Sequence, residues 1–208
     1  MFFKLMKRCM DIILSAIFLI LLSPFMLLIV IPIRIDSKGP AIFKQERITK
    51  GERIFIMYKF RSLVLNARKF EDQGIPTERL ITRVGRYLRE PYLDELPQLF
   101  NILKGEMSFV GSRALMTEDY KRHCKGIEGW KRTAKLKAGL TGLDKLYEYM
   151  PEKRRDAILK SLPDQEYLKK DKNAIYFYYM DHPSLWLDIK ILFWTAELFL
   201  RKLISTIL

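Results

Sequence analysis

Residues 12–33 read IILSAIFLILLSPFMLLIVIPI, an unbroken run without a charged side chain. As a helix it reaches ~33 Å, enough for a bilayer's hydrocarbon core. The run exceeds the apolar part of an ordinary signal peptide, and no small-x-small cleavage site follows it, so a retained membrane segment is expected. Ser23 and Pro24 sit at its midpoint. Proline removes a backbone donor and clashes with the preceding turn, which predicts a break or bend there. Lys4, Lys7 and Arg8 precede the run, and Arg34, Lys38, Lys44 and Arg47 follow it. The positive-inside rule is best met with both ends in the cytoplasm, the segment entering the bilayer, bending at Ser23-Pro24 and returning. A kinked spanning helix is the alternative, with its more basic C-terminal side cytoplasmic.

Beyond Asp36, the SKGP sequence marks a boundary. Ala41 to Arg47 and Arg53 to Phe60 read as two strands of a β-hairpin, turning around Thr49-Lys50-Gly51. Lys59 at the end of the second strand and Arg61 just after it are either solvated or facing an anionic substrate. Ser62 to Phe70 and Thr77 to Leu88 are expected as helices, separated by the Gly74-Ile75-Pro76 break. Arg83, Arg86 and Arg89 then fall on one basic face. The chain has 208 residues, 49% hydrophobic and 29% charged, which excludes a disordered chain. A net charge of +13 asks for an anionic partner. No zinc-ligand spacing, aromatic RNA-binding motif or helix-turn-helix pattern accompanies that charge. Anionic lipid headgroups and a nucleotide diphosphate therefore fit better than nucleic acid. Cys9 and Cys124 give no disulfide framework and suit a reducing compartment. His123 and His182 read as surface or turn residues.

The chemistry is expected in LDELPQLFNILKGEMSFVGSR, Leu93 to Arg113. Asp94 is a good N-cap residue, Pro97 is tolerated only in a first turn, and Leu96, Leu99, Phe100 and Leu103 recur at helical spacing, with Gly105 ending the helix. Asp94 and Glu95 are then either a plain cap with its solvated neighbour or a working pair: nucleophile or metal ligand, and base. Ser108, Gly111, Ser112 and Arg113 add hydroxyls, a backbone open to close approach and a bidentate phosphate donor.

The segment GRYLREPYLDELPQLFNILKGEMSFVGSRAL, Gly85 to Leu115, resembles the signature of the bacterial sugar transferases, the monotopic phosphoglycosyl transferases. Ser23-Pro24, KFRSL at Lys59 to Leu63, GLTGL at Gly139 to Leu143, and the Tyr-Tyr and Ser-x-x-x-Asp pattern near the C-terminus extend the resemblance over most of the chain. It implies transfer of a phospho-sugar from a UDP-sugar to a polyprenol phosphate such as undecaprenyl phosphate, with Mg²⁺ and release of UMP. This is the first membrane step of exopolysaccharide or glycoconjugate assembly. It further implies Asp94 as nucleophile and metal ligand, Glu95 as base or metal assistant, and Arg89, Arg113, Lys59 and Arg61 as phosphate-binding residues. A re-entrant helix kinked at Ser23 and Pro24 would hold the site at headgroup level, where soluble donor and buried lipid meet. The chain departs from the family's usual pattern at Ser112, Ala114, Ala138, Asp144, Lys145 and Tyr176, which bears on donor-sugar recognition.

From Asp144 to Asn173 the chain is highly charged, with Pro151 and Pro163 as punctuation, and reads as short surface helices: a lid, a partner-binding insertion or a solvated excursion. From Leu185 to Leu208 an amphipathic helix is expected to lie on the bilayer through Trp186, Trp194 and Phe199, or to pack on the chain's own core. The expected fold is α+β and mostly helical: residues 1–38 a re-entrant membrane helix, 39–184 a cytoplasmic catalytic domain, and 185–208 an interfacial helix. The expected location is the bacterial inner membrane, monotopic, with the catalytic domain facing the cytoplasm and anionic lipids as partners; homodimerisation stays open. A catalytically silent membrane scaffold for glycan-assembly enzymes is the alternative.

Overall fold

A computed structural model describes residues 2–170 and 174–207. Met1, Leu208 and the tail of the charged excursion, 171–173, lie outside the described residues. The apolar run belongs to a 35-residue helix, α1 (Phe2–Asp36), and among the described residues this is the one helix long and apolar enough to cross a membrane. The expected break at Ser23-Pro24 does not interrupt it: helical structure continues through Pro24 and Pro32. A proline costs one ladder bond, and the apolar turns on both sides keep theirs. Ser23 Oγ donates to Ile20 O at 3.1 Å, a local bond that helps satisfy such a turn.

One face of α1 is buried. Met26, Ile29 and Ile33 pack with Ala41, Phe60 and Leu88, and Leu14, Leu19 and Leu22 lie against the main core. Ile13, Ile20, Leu21, Leu27, Leu28, Ile31 and Ile35 are exposed. Polar contacts fasten both ends to the same body. Near the N-terminus, buried Asp11 accepts from Ser108 Oγ and Phe109 N, both at 3.0 Å, Arg8 donates to Ile102 O and Leu103 O, and Lys7 pairs with Asp188 at 2.9 Å. At the other end Asp36 Oδ2 accepts from Val84 N at 2.9 Å.

Strands β1 (Ile42–Thr49) and β2 (Arg53–Phe60) form the expected antiparallel hairpin, in register from Ile42 opposite Phe60 to Thr49 opposite Arg53. Its turn, Lys50–Glu52, uses Gly51 at φ +73°. The expected helix from Ser62 is shorter, because Leu63 pairs with Ile81 and Asn66 is left-handed; α2 spans Ala67–Asp72. The second expected helix divides into a 3₁₀ turn at Thr77–Leu80 and α3 (Arg83–Arg89). Thr82 forces the division by capping α3, its hydroxyl accepting from Gly85 N at 2.9 Å.

After α4 (Gln98–Lys104) comes a feature with little local signal: a parallel sheet of β3 (Met107–Val110), β4 (Ser112–Arg113) and, after α5 (Thr117–Gly126), β5 (Ala138–Thr141). β5 is central, and the chain passes from one of its edges to the other at Gly111. A Cβ on Gly111 would lie 2.3 Å from Lys137 O, and one on Gly139 would lie 2.3 Å from Gly111 N, so only glycine fits at either place.

The charged excursion forms α6 (Leu143–Tyr149), α7 (Glu152–Lys160) and α8 (Gln165–Lys170). It is more than a solvated surface: Leu143, Leu146, Met150, Ile158 and Leu162 enter the core beside Ile102, Met107 and Val110. Helix α9 (Ala174–Asp181) buries Phe177, Tyr178 and Tyr179. Helix α10 (Leu185–Ile207) turns Leu187, Ile191, Trp194 and Leu198 inward and leaves Trp186, Ile189, Phe193, Leu200 and Ile204 exposed. Trp194, expected at the bilayer, is thus a core residue, while Trp186 is exposed.

Candidate active site

The approach to α4 differs from the expected cap. Tyr92 is left-handed at φ +60°, Leu93–Glu95 form a 3₁₀ turn, and Pro97, not Asp94, occupies the cap position of α4. The ring of Pro97 supplies the fixed φ of −61° that a helix start needs, and Gly105 closes the helix at φ +87°. Asn101 ties α4 to the hairpin: its amide donates to Ile56 O and Glu106 Oε2, both at 2.7 Å, and its carbonyl accepts from Tyr58 N at 3.1 Å. That fixes the end of β2, and with it Lys59, against the 3₁₀ turn.

Asp94 is 6% exposed, and its side chain makes no hydrogen bond or ion pair with another described residue. Burial pushes its carboxyl up to about 6, helped by Glu95 and opposed by the cations of Lys59, Arg89 and Lys145. Glu95 behaves in the opposite way. Burial raises its carboxyl too, but Lys145 at 3.0 Å and Lys59 at 2.8 Å more than reverse the push and hold it at about 2. Two adjacent acids are therefore set far apart, one poised near neutrality without a partner and one fixed as an anion between two ammonium groups.

The structure brings Lys59, Arg89, Asp94 and Glu95 together, Arg89 being exposed at the end of α3 and close enough to lower the Asp94 carboxyl. Arg61 is elsewhere. It is buried and donates to the carbonyls of Ile33, Ser37 and Lys38 at 2.5–3.3 Å, so its fork satisfies the open C-terminal end of α1. Arg113 pairs with Glu148 and lines a cleft with Ser112, Trp130, Asp144 and Tyr176. Three of the departures from the family's usual pattern thus share one wall with Arg113. The ring of Tyr92, at the start of the acidic turn, meets that of Tyr149 on α6 with centroids 5.7 Å apart.

Two site residues went unassigned in the sequence. Lys145 lies in the charged excursion, where local pattern reads as solvated. Arg47, on β1, donates to Ala114 O at 3.1 Å and feels the charges of Glu95 and Arg113; nothing in its strand context marks it. Among the described residues no three His, Cys, Asp or Glu side chains converge as a metal cage. A single unpartnered carboxylate beside the cations of Lys59, Arg89 and Lys145 nonetheless suits Mg²⁺, which commonly takes one or two protein carboxylates and completes its shell with substrate phosphates and water.

A family model described as bacterial sugar transferase matches residues 2–202. The chain belongs to that family. Among curated sugar transferases similar to it is the undecaprenyl-phosphate galactose phosphotransferase of Salmonella typhimurium, 33% identical over 96% of this chain and 41% of the relative. The UDP-glucose:undecaprenyl-phosphate glucose-1-phosphate transferase of Klebsiella pneumoniae is 36% identical over 91% and 39%. The UDP-N-acetylgalactosamine-undecaprenyl-phosphate N-acetylgalactosaminephosphotransferase of Aeromonas hydrophila is 33% identical over 94% and 44%. The chain spans about two fifths of the length of these transferases.

Proposed function

We propose that this chain transfers a phospho-sugar from a UDP-sugar to a polyprenol phosphate, with undecaprenyl phosphate the acceptor in the names of its relatives. The observation that carries this is the Asp94 carboxyl: buried, without a partner, ionising at about 6, and faced by Lys59, Arg89 and Lys145. At neutral pH it is largely an anion, and as an uncommitted one it is a competent nucleophile. Asp94 attacks the sugar-bearing phosphorus of the donor, the bond from that phosphorus to the bridging oxygen breaks, and UMP leaves with the electron pair. An oxygen of the polyprenol phosphate then attacks the same phosphorus, the acyl–phosphate bond breaks, and the carboxylate is restored. Asp94, with the donor diphosphate, would hold Mg²⁺, whose charge offsets that of the diphosphate when it is bound.

Both Glu95 oxygens are taken by ammonium groups, which supports an anchoring role for it in place of proton abstraction. Arg89 and Arg113 are the remaining phosphate contacts.

The fastening of both ends of α1 to one body supports the re-entrant reading, because a helix crossing the bilayer would carry its two ends to opposite sides. The exposed apolar sides of α1 and α10 support a monotopic seat at the cytoplasmic membrane, with anionic lipid beneath a basic body. The test is UMP release in nanodiscs containing undecaprenyl phosphate and Mg²⁺ across a panel of UDP-sugars. Release from one donor, lost in Asp94→Asn, is expected; no release from any donor by folded protein would return the scaffold reading.

A further inference from the structure

Helix α6 reaches the acidic turn and the strands β4 and β5 beside it. Lys145 Nζ donates to Glu95 Oε2 at 3.0 Å and to Leu140 O at 2.8 Å, Glu148 pairs with Arg113, and the Tyr149 ring meets that of Tyr92. Fixing Glu95 requires only one cation, and Lys59 already supplies it at 2.8 Å. The second ammonium leaves the Glu95 cluster with a surplus positive charge, one residue along the chain from Asp94. An ammonium has three donor protons. Lys145 uses two of them on protein, Lys59 uses one, and their side chains are 22% and 25% exposed, so both retain a donor and access to solvent.

We propose that Lys145 binds a phosphate oxygen of the donor diphosphate, forming with Lys59 a pair of ammonium groups that Glu95 holds beside Asp94. This rests on the transferase reading and adds to it a phosphate ligand carried by α6. The physical need is plain. Asp94 must approach a diphosphate as an anion, and the repulsion between them falls only where cations are already in place, without reorganisation. Glu95 holds both ammonium groups in place, one on each of its oxygens.

The competing role for Lys145 is a purely structural clasp from β5 to the acidic turn. The two are separated by binding measurements on the full chain in nanodiscs, with UDP and uridine as probes. UDP is titrated calorimetrically, uridine is followed by saturation-transfer NMR, and the melting temperature reports folding. Lys145→Met is expected to weaken UDP binding about tenfold while leaving uridine unchanged, the loss of one charge-assisted contact. Lys145→Arg, which keeps the charge, should stay within about threefold of the parent protein. With an active donor, KM should rise more than kcat falls. If Lys145→Met melts below the assay temperature, Lys145→Gln, which keeps hydrogen-bond donors without the charge, carries the same expectation. UDP affinity within about twofold of the parent in a folded charge-removing variant overturns the proposal. UMP release by the parent protein tests the transferase reading separately, so a parent that turns over beside an unaffected Lys145→Met variant rejects only the role of Lys145.

Discussion

Replacing Asp94 by asparagine should stabilise this protein while abolishing its turnover, and the stabilisation should depend on pH in a defined way. A carboxyl that ionises at 3.8 when exposed and at about 6 in the folded chain penalises the folded state by ~3 kcal/mol once both states are ionised. The sign follows from the proton count. Above about 6 the penalty is fully present; it falls as pH descends towards 3.8 and is absent below that. Asparagine has nearly the same shape and never ionises, and Asp94 has no hydrogen-bond partner to lose. Asp94→Asn should therefore gain ~3 kcal/mol at pH 8 and nothing at pH 3.5, which for a chain of this size means a melting temperature higher by roughly 6–12 °C at the upper pH. Melting curves of both proteins in one detergent, taken in steps from pH 3.5 to 8, read this directly, with UMP release measured in parallel at pH 7–8. A variant no more stable than the parent at pH 8, or a gain that persists unchanged at pH 3.5, would refute the account of Asp94 as a buried, uncompensated charge. Undiminished UMP release would refute its role as nucleophile.

Glu95→Gln should act in the opposite direction. Glu95 is held at about 2 against an ordinary 4.5, so its contribution of ~3 kcal/mol is present above pH 4.5 and lost as pH falls towards 2; melting curves should show the variant destabilised at pH 7 and level with the parent near pH 2. Arg61→Met should lower stability by roughly 2–3 kcal/mol by orphaning the carbonyls at the end of α1, with the donor KM of the surviving folded fraction unchanged; a raised KM at unchanged stability would return Arg61 to the substrate site. With Cys9 and Cys124 replaced by serine, Lys4→Cys and Lys38→Cys should both be labelled from the cytoplasmic side of sealed vesicles. Labelling from opposite sides would refute the re-entrant topology.

The hairpin was legible because Ile and Phe recur in two runs separated by a Gly-containing turn, and strand pairing honours that pattern. The acidic turn was legible from residue types, yet its local form was not: an acid three residues before a proline mimics a cap, whereas Tyr92 and Pro97 impose a 3₁₀ turn ahead of α4. Arg61 was grouped with Lys59 because KFRSL carries both, but β2 ends at Phe60 and the Arg61 side chain turns to the carbonyls at the end of α1. The parallel sheet left little trace. Met107–Val110 is buried throughout and does not alternate, and its partner strand lies about thirty residues away, a pairing that no local window contains. Lys145 was hidden for a related reason, since a lysine in a charged stretch acquires its role only when α6 folds back onto Glu95.

The double fastening of α1 bears on the lipid as well as on the fold. A helix that crosses a membrane samples its full thickness and answers to mismatch at both surfaces. In the proposed re-entrant topology, a helix whose two ends are tied to one body displaces lipid from a single leaflet, widening that leaflet and leaving the other untouched. A chain so inserted would act as a wedge, at home where the leaflet it enters is already stretched and largely indifferent to acyl-chain length.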